Sequence, residues 1–447
     1  MTAEIAIMNK EAIALASDSA VTMIGEKGQK IFTSANKIFT LSNHHPVGIM
    51  IYGNAMLMGV PWETIIKVYR NKIGKKKFDT LKEYSTDFIK FLDNGNLLFP
   101  DSLQEEYLQN SIDSYFRFIR KEIVTSIESN IDEKGEITAE EIKQIVSEII
   151  KTDYEKWEKI DNIPSVPKSY NKDIIDRYEK IINNPIEKVI KEFFEELPIS
   201  KTNSNQLKKI AASLFSKFPE HIKSGSISGV VIAGFGEEDT FPSLESFLMG
   251  GIFNNKLKYK HDKSSKIDFK TNALITPFAQ DEMVHTFMEG IDPDLMIFME
   301  RWLYNVFDKY PEIIVENIEG SINEKKILQE KLKAASNKLF EYYREEVRAY
   351  RRENYVSPVT STVSMLPKDE LAAMAESLVS LTSFKRKVTP ERETVAGPID
   401  VAVISKGDGF IWIERKHYFK AELNPQFVAK YYKEMRNEKK EKEKTGI

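Results

Sequence analysis

Two consecutive strand–turn–strand units at the start of the chain constrain its fold more than any other feature. The run Glu4-Ile5-Ala6-Ile7-Met8 is followed by a turn at Asn9-Lys10 and then by Ala12-Ile13-Ala14-Leu15-Ala16. A second pair, 37–41 and 47–52, is joined by Asn43-His44-His45-Pro46, a composition suited to a hairpin turn. Short apolar runs bounded by turn residues read as strands rather than helix. A tight reversal at Asn9-Lys10 makes residue 2 face residues 17 or 18, so Thr2 and Asp18 become neighbours. The next hairpin adds Lys37 as its first strand begins, in Asn36-Lys37-Ile38.

The remainder alternates between two textures. Residues 54–73 read as a helix, with Leu57, Trp62, Ile65, Ile66 and Tyr69 at helical spacing and Pro61 in an early turn. Residues 80–220 are charged and helical, with apolar stripes such as Ile142, Ile145, Val146 and Ile149, divided by Pro164, Pro167, Pro185 and Pro198. Strand texture returns at 229–235 and 243–248, followed by helix over 280–353. A helix from Pro367 carries Leu371, Met374, Leu378 and Leu381 on one face. Strands at 399–405 and 409–414 come last, before a mixed-charge run at 430–444. The pattern predicts one α+β core in three segments, 2–75, 225–290 and 360–420. Helical insertions at 80–220 and 295–355 interrupt it, and 421–447 forms a charged tail.

Composition excludes several chemistries. The 447 residues contain no cysteine, which removes disulfides, thiolate metal sites and cysteine nucleophiles. A net charge of −4 lacks the basic excess of a nucleic-acid binder, so no nucleic-acid partner is expected. The six histidines show no paired-ligand spacing, no phosphate-binding loop motif occurs, and neither metal nor cofactor is expected. The first apolar stretch is broken by Asn9, Lys10 and Glu11, so it is too short for a signal peptide. No window approaches the roughly 18 apolar residues of a membrane span. The expectation is a cytoplasmic protein with no membrane association.

A threonine at a free N-terminus combines a hydroxyl nucleophile with its own α-amine, whose ordinary pKa of roughly 7.7–8.0 suits a base near neutral pH. A lysine beside the hydroxyl stabilises the alkoxide, and an aspartate beside the lysine orients it. A glycine that begins a helix after a strand, in Tyr52-Gly53-Asn54, offers an N–H to a developing oxyanion. Singly, each residue has an ordinary structural explanation; their joint placement in two consecutive hairpins is what carries the functional reading.

Residues 2–56 resemble the N-terminal segment of proteasome β-subunits and the bacterial HslV peptidase. The resemblance rests on Thr2, Ala16-Ser17-Asp18-Ser19, Asn36-Lys37-Ile38-Phe39 and Gly53-Asn54-Ala55. It continues at 231–235, at 242–244, and in Ala396-Gly397-Pro398-Ile399-Asp400-Val401 after the last helix. It implies a four-layer αββα sandwich of the N-terminal-nucleophile (Ntn) hydrolase type with helical insertions. It also implies removal of Met1, Thr2 as nucleophile and base, Asp18 and Lys37 as the supporting pair, and Gly53 as oxyanion donor. Thr22, Met23 and Ile51 would flank the substrate channel by position. A peptide or protein substrate, a homo-oligomer and a separate ATPase or regulatory partner follow from the same resemblance.

One stretch departs from the pattern. The family places an Asp and a Ser before its final Gly-Gly turn, whereas 392–397 here is Arg-Glu-Thr-Val-Ala-Gly. Glu393 is the best-placed acid and Thr394 the nearest hydroxyl, with Ser226 and Ser228 as candidates for a supporting serine. Two rival readings therefore stand beside the threonine peptidase: an inactive scaffold whose insertions bind a partner, and an amidase for small amides.

Overall fold

The computed structural model describes residues 2–25, 28–93, 97–167, 169–218, 227–390, 395–417, 419–426 and 429. The first hairpin forms from β1 (Ala3–Asn9) and β2 (Ala12–Ser17), paired antiparallel with Glu4 opposite Ser17 and Met8 opposite Ile13. Asn9 explains the reversal. Its side-chain oxygen accepts from Glu11 N at 3.0 Å and Ala12 N at 3.2 Å, a local bond that asparagine makes readily in turns. Its Nδ2 donates to the Val363 and Leu366 carbonyls at 3.1 and 2.8 Å, tying the turn to a distant part of the chain.

The strands then run β3 (Val21–Gly25), β4 (Gly28–Phe32), β5 (Ile38–Thr40), β6 (Val47–Gly53), β7 (Met56–Leu57) and β8 (Val60–Pro61). Further along come β9 (Ser228–Gly234), β10 (Ser243–Phe253), β11 (Lys256–Lys266), β12 (Ala273–Ala279), β13 (Asp400–Ser405) and β14 (Gly409–Glu414). One five-stranded sheet has the order β12-β1-β2-β13-β14, and a second has β11-β10-β9-β6-β5. All pairings in both are antiparallel.

Alternation along the strands builds three layers of core. Ala6, Met8, Ile13 and Leu15 of the first sheet meet Ile38, Met50, Val231 and Ala233 of the second. The odd-numbered β1 residues Ala3, Ile5 and Ile7 face the other way, onto α12 (Lys368–Val388). Val47, Ile49, Val230 and Ile232 pack beneath α1 (Trp62–Ile73) and α2 (Leu81–Asp93). Helix, sheet, sheet, helix: the core is a four-layer αββα sandwich, mixed α and β with antiparallel sheets, as expected.

Five helices between α2 and β9 share a further core: α3 (Asp101–Lys134), α4 (Ala139–Glu158), α5 (Tyr170–Ile182), α6 (Ile186–Phe194) and α7 (Lys201–Ser216). They are anchored to the end of β10, where the Tyr107 and Tyr170 hydroxyls donate to the Gly250 and Phe253 carbonyls at 2.9 and 3.0 Å. After β12 come α8 (Glu282–Glu289), α9 (Pro293–Glu316), α10 (Ile322–Arg351) and α11 (Ser357–Val363). Among the described residues no helix is long and apolar enough to cross a membrane.

Several local expectations need correction. The helix expected over 54–73 begins only at Trp62, because β7 and β8 form a tiny hairpin around Met58 and Gly59, both with positive φ. Pro61 is its N-cap. The edge strand β11 escaped notice because its sequence is mostly charged, as edge strands that resist aggregation commonly are. β12, an edge strand of the other sheet, is not signalled by its sequence and contains Pro277, which an edge tolerates. The buried face of α12 is Leu371, Ala372, Ala375, Leu378 and Val379, while Leu381 is exposed; small alanines let the helix approach the sheet closely. The charged run at 430–444 lies outside the described residues.

Gly234 ends β9 at φ +140°, and a Cβ there would lie 2.0 Å from the Pro46 carbonyl oxygen. Backbone cannot yield as a flexible side chain does. Gly234→Ala is expected to destabilise the protein by about 1–3 kcal/mol, read as a lower urea midpoint with unchanged slope.

Candidate active site

The end of β2 delivers Asp18 to a dense set of donors. Its Oδ1 accepts from the Thr2 hydroxyl at 2.5 Å, from Ala3 N at 3.0 Å and from Lys37 Nζ at 2.6 Å. Its Oδ2 accepts from Ala20 N at 3.0 Å and Ala396 N at 3.2 Å. Lys37 Nζ also donates to Thr2 Oγ1, so hydroxyl, carboxylate and ammonium form a closed triangle. All three are buried, with 4 %, 1 % and 5 % of Thr2, Asp18 and Lys37 exposed. Desolvating an ion pair costs several kcal/mol per ion, which only good geometry and extra hydrogen bonds offset. Asp18 has those bonds.

Each member is held through its backbone. The Thr2 carbonyl accepts from Gln280 N at 3.1 Å, and the Lys37 carbonyl accepts from Ile51 N at 2.9 Å, so one residue is pinned by each sheet. The Ala396-Gly397-Pro398 segment closes the site from the C-terminal side. Ser19 N donates to the Ala396 carbonyl at 3.2 Å, and the Ser19 hydroxyl donates to that of Pro398. Gly397 has φ +85°, and a Cβ would lie 2.6 Å from the Thr33 carbonyl oxygen. Glycine is therefore a geometric requirement for bringing Ala396 N to Asp18.

The other expected residues fare differently. Gly53 ends β6 with φ +76°, exposed, and a Cβ would meet the Ile227 carbonyl oxygen at 2.7 Å. It does not open a helix, since α1 starts at Trp62, so no helix dipole supports its N–H. Among the described residues, no hydrogen bond joins Gly53 to the Thr2 cluster. Ser228 is committed elsewhere: it accepts from Trp62 Nε1 at 2.9 Å and donates to the Asn54 carbonyl at 2.9 Å. Ile51 packs under α1 and α2. Thr22 and Met23 lie in β3, paired with Ile31 and Lys30. Glu393, Thr394 and Ser226 lie outside the described residues.

Three charged residues near the triangle were missed. Glu4 shares the strand face of Thr2, and burial pushes its carboxyl well above the ordinary range; Lys37 and the Ser17 and Thr2 hydroxyls oppose that rise, and Asp18 reinforces it. Asp400 lies opposite Ser17 on β13 and takes Lys416, through its backbone N–H at 2.9 Å and its ammonium. Burial holds Lys416 below the ordinary lysine value despite that partner. The available signal was an acid in an otherwise apolar strand, sharing the parity of Thr2.

No protein-family model matches the chain, and no curated protein matches it. Among solved structures, the chain is similar to a Gly-1 mutant of Anbu from Hyphomicrobium sp. strain MC1, at 8 % identity and a TM-score of 0.25. That match covers 98 % of this chain and 97 % of the other. A likeness so low carries no argument. The assignment to the proteasome β-subunit and HslV family, expected from residues 2–56, is therefore corrected: sequence and structural comparison both fail to place the chain there. What stands is the four-layer αββα sandwich itself, and a fold alone does not assign an activity.

Proposed function

We propose that this chain is an N-terminal threonine hydrolase that cleaves amide bonds, peptide bonds first among them, once Met1 has been removed. The observation that carries the reading is the Thr2 hydroxyl held jointly by Asp18 and Lys37 in a buried site. Threonine after methionine is small enough for ordinary aminopeptidase trimming. The freed α-amine takes the hydroxyl proton, directly or through a water, as Oγ1 attacks the amide carbonyl. Lys37 stabilises the developing charge on Oγ1, and Asp18 keeps Lys37 oriented. The tetrahedral oxyanion is assigned to the Gly53 N–H, a role supported by its exposed position at the end of β6. The protonated α-amine then gives its proton to the leaving amine, leaving an ester on Thr2. Water, activated by the same α-amine, hydrolyses that ester and restores the hydroxyl.

Intact mass and covalent labelling test this together. The purified protein is expected to lack Met1 and to gain the mass of a β-lactone, which acylates a threonine hydroxyl. Retention of Met1 in active preparations, or a Met-free protein inert to β-lactones and to peptidyl epoxyketones alike, would sink the proposal.

A further inference from the structure

Glu4 is 2 % exposed, and neither carboxyl oxygen meets a hydrogen-bond partner among the described residues or reaches solvent. The parity of β1 points it between the sheets, along with Thr2, Ala6 and Met8. Its neighbours across the sheet are Ser17 on β2 and Phe278 on β12. A buried carboxylate persists as an ion only where donors hold it. Here the nearby donors are already engaged. The Thr2 hydroxyl and Ala3 N go to Asp18, Lys37 Nζ goes to Asp18 and Thr2, and the Ser17 hydroxyl donates to the Asp18 carbonyl at 3.0 Å. Lys37 and the Ser17 and Thr2 hydroxyls still favour an ionised Glu4, but burial outweighs all three.

The charged and titratable groups facing Glu4 are few. Asp18 and Lys37 act on it from the ends of β2 and β5, and the Tyr52 phenol faces it from β6, itself raised above its ordinary value mainly by burial. Asp400 and Lys416 lie beyond Ser17, already paired with each other, and Lys263 sits over the Phe278 ring on the other side. Among the described residues Lys37 is the cation acting on Glu4, and it is the group that touches the Thr2 hydroxyl. Once Met1 is removed, the Thr2 α-amine two residues away along the chain adds a second cationic group.

We propose that Glu4 is a positioning residue of the Thr2 site: it stays a neutral acid in the resting protein and acts through Lys37. Ionised Glu4 competes with Asp18 and Thr2 for the ammonium and draws it off the hydroxyl. Neutral Glu4 leaves it in place. The charge state stands on the burial of Glu4, while the consequence for labelling rests on the threonine-hydrolase reading.

Two measurements on the Met-free full chain test it, using Glu4→Gln as neutral isostere and Glu4→Met as an apolar second variant. A carboxyl with a folded pKa above its unfolded one stabilises below the unfolded value, and that stability is lost as pH rises toward the folded value. Wild type should therefore lose stability relative to either variant above about pH 4.3, by about tenfold in unfolding constant per pH unit, until the folded pKa is reached. Urea unfolding between pH 4 and 9 reads this directly. β-Lactone labelling rates over the same range should show an alkaline fall in wild type that Glu4→Gln lacks. A stability gap that stays flat with pH means Glu4 is ionised in the folded protein, and overturns the proposal. A widening gap with superimposable labelling profiles makes Glu4 a buried acid without influence on Thr2, which also overturns it. A widening gap with no labelling of wild type shows instead that the threonine-hydrolase reading has failed, and the coupling with it.

Discussion

Thr2→Ala is expected to lose amide hydrolysis by a factor on the order of 10⁴ or more and to lose β-lactone labelling altogether. The size follows from what is removed: when a nucleophile is deleted, only binding and oxyanion stabilisation remain, and the residual rate falls by several orders of magnitude. The fold should survive. The hydroxyl bridges Asp18 and Lys37, but those two groups also meet each other at 2.6 Å. Deleting one hydrogen-bonding hydroxyl under those conditions costs about 1 kcal/mol. Thr2→Ser keeps both hydroxyl and α-amine, so it should still be labelled. Hydrolysis of a fluorogenic peptide panel, with intact mass after β-lactone treatment, measures both effects. Equal labelling of Thr2→Ala and wild type would place the nucleophile elsewhere.

Lys37→Met is expected to damage stability and activity together. Breaking a buried pair from one side leaves an uncompensated charge, at a cost of roughly 3–5 kcal/mol. Asp18 would keep its backbone donors Ala3 N, Ala20 N and Ala396 N, which places the loss toward the lower end. The reaction loses the positive charge beside Oγ1, and removal of one preorganised charge-stabilising group costs about 10²–10³ in rate. Lys37→Arg should not rescue it, because a planar, branched guanidinium does not fit a point-charge site that is 5 % exposed. Urea unfolding gives the first quantity, and labelling rates well below the transition give the second. A fully stable Lys37→Met that labels normally would remove Lys37 from the mechanism.

The first hairpin is the part of the site most plainly written in the residues. The turn at Asn9 sets the period-two register that puts the odd residues of β1 on the helix side. That register pairs Ser17 with Glu4 and Asp18 with Ala3, not residue 2 with 17 or 18, so Thr2 meets Asp18 diagonally through its hydroxyl. Lys37 followed because its strand begins one residue later. The start of α1 was not legible in the same way. Leu57, Trp62, Ile65 and Ile66 fit a helical period, but the β7–β8 hairpin around Met58 and Gly59 takes the first of them out of the helix. The charged strand β11 was hidden because its order comes from pairing with β10 rather than from burial of its own side chains.

The sequence by itself determined the local reversals, the alternation that sorts side chains between layers, and the residue types available for chemistry. These depend on neighbours a few positions away, where backbone sterics and turn chemistry decide. The tertiary structure alone decided which donors reach which acceptors. Ala396 N binds Asp18 only because β13 lies beside β2, a sheet order that no local signal specifies. The burial of Glu4 was decided there too: the second sheet and Phe278 of β12 close over it, and neither is adjacent to it in the sequence.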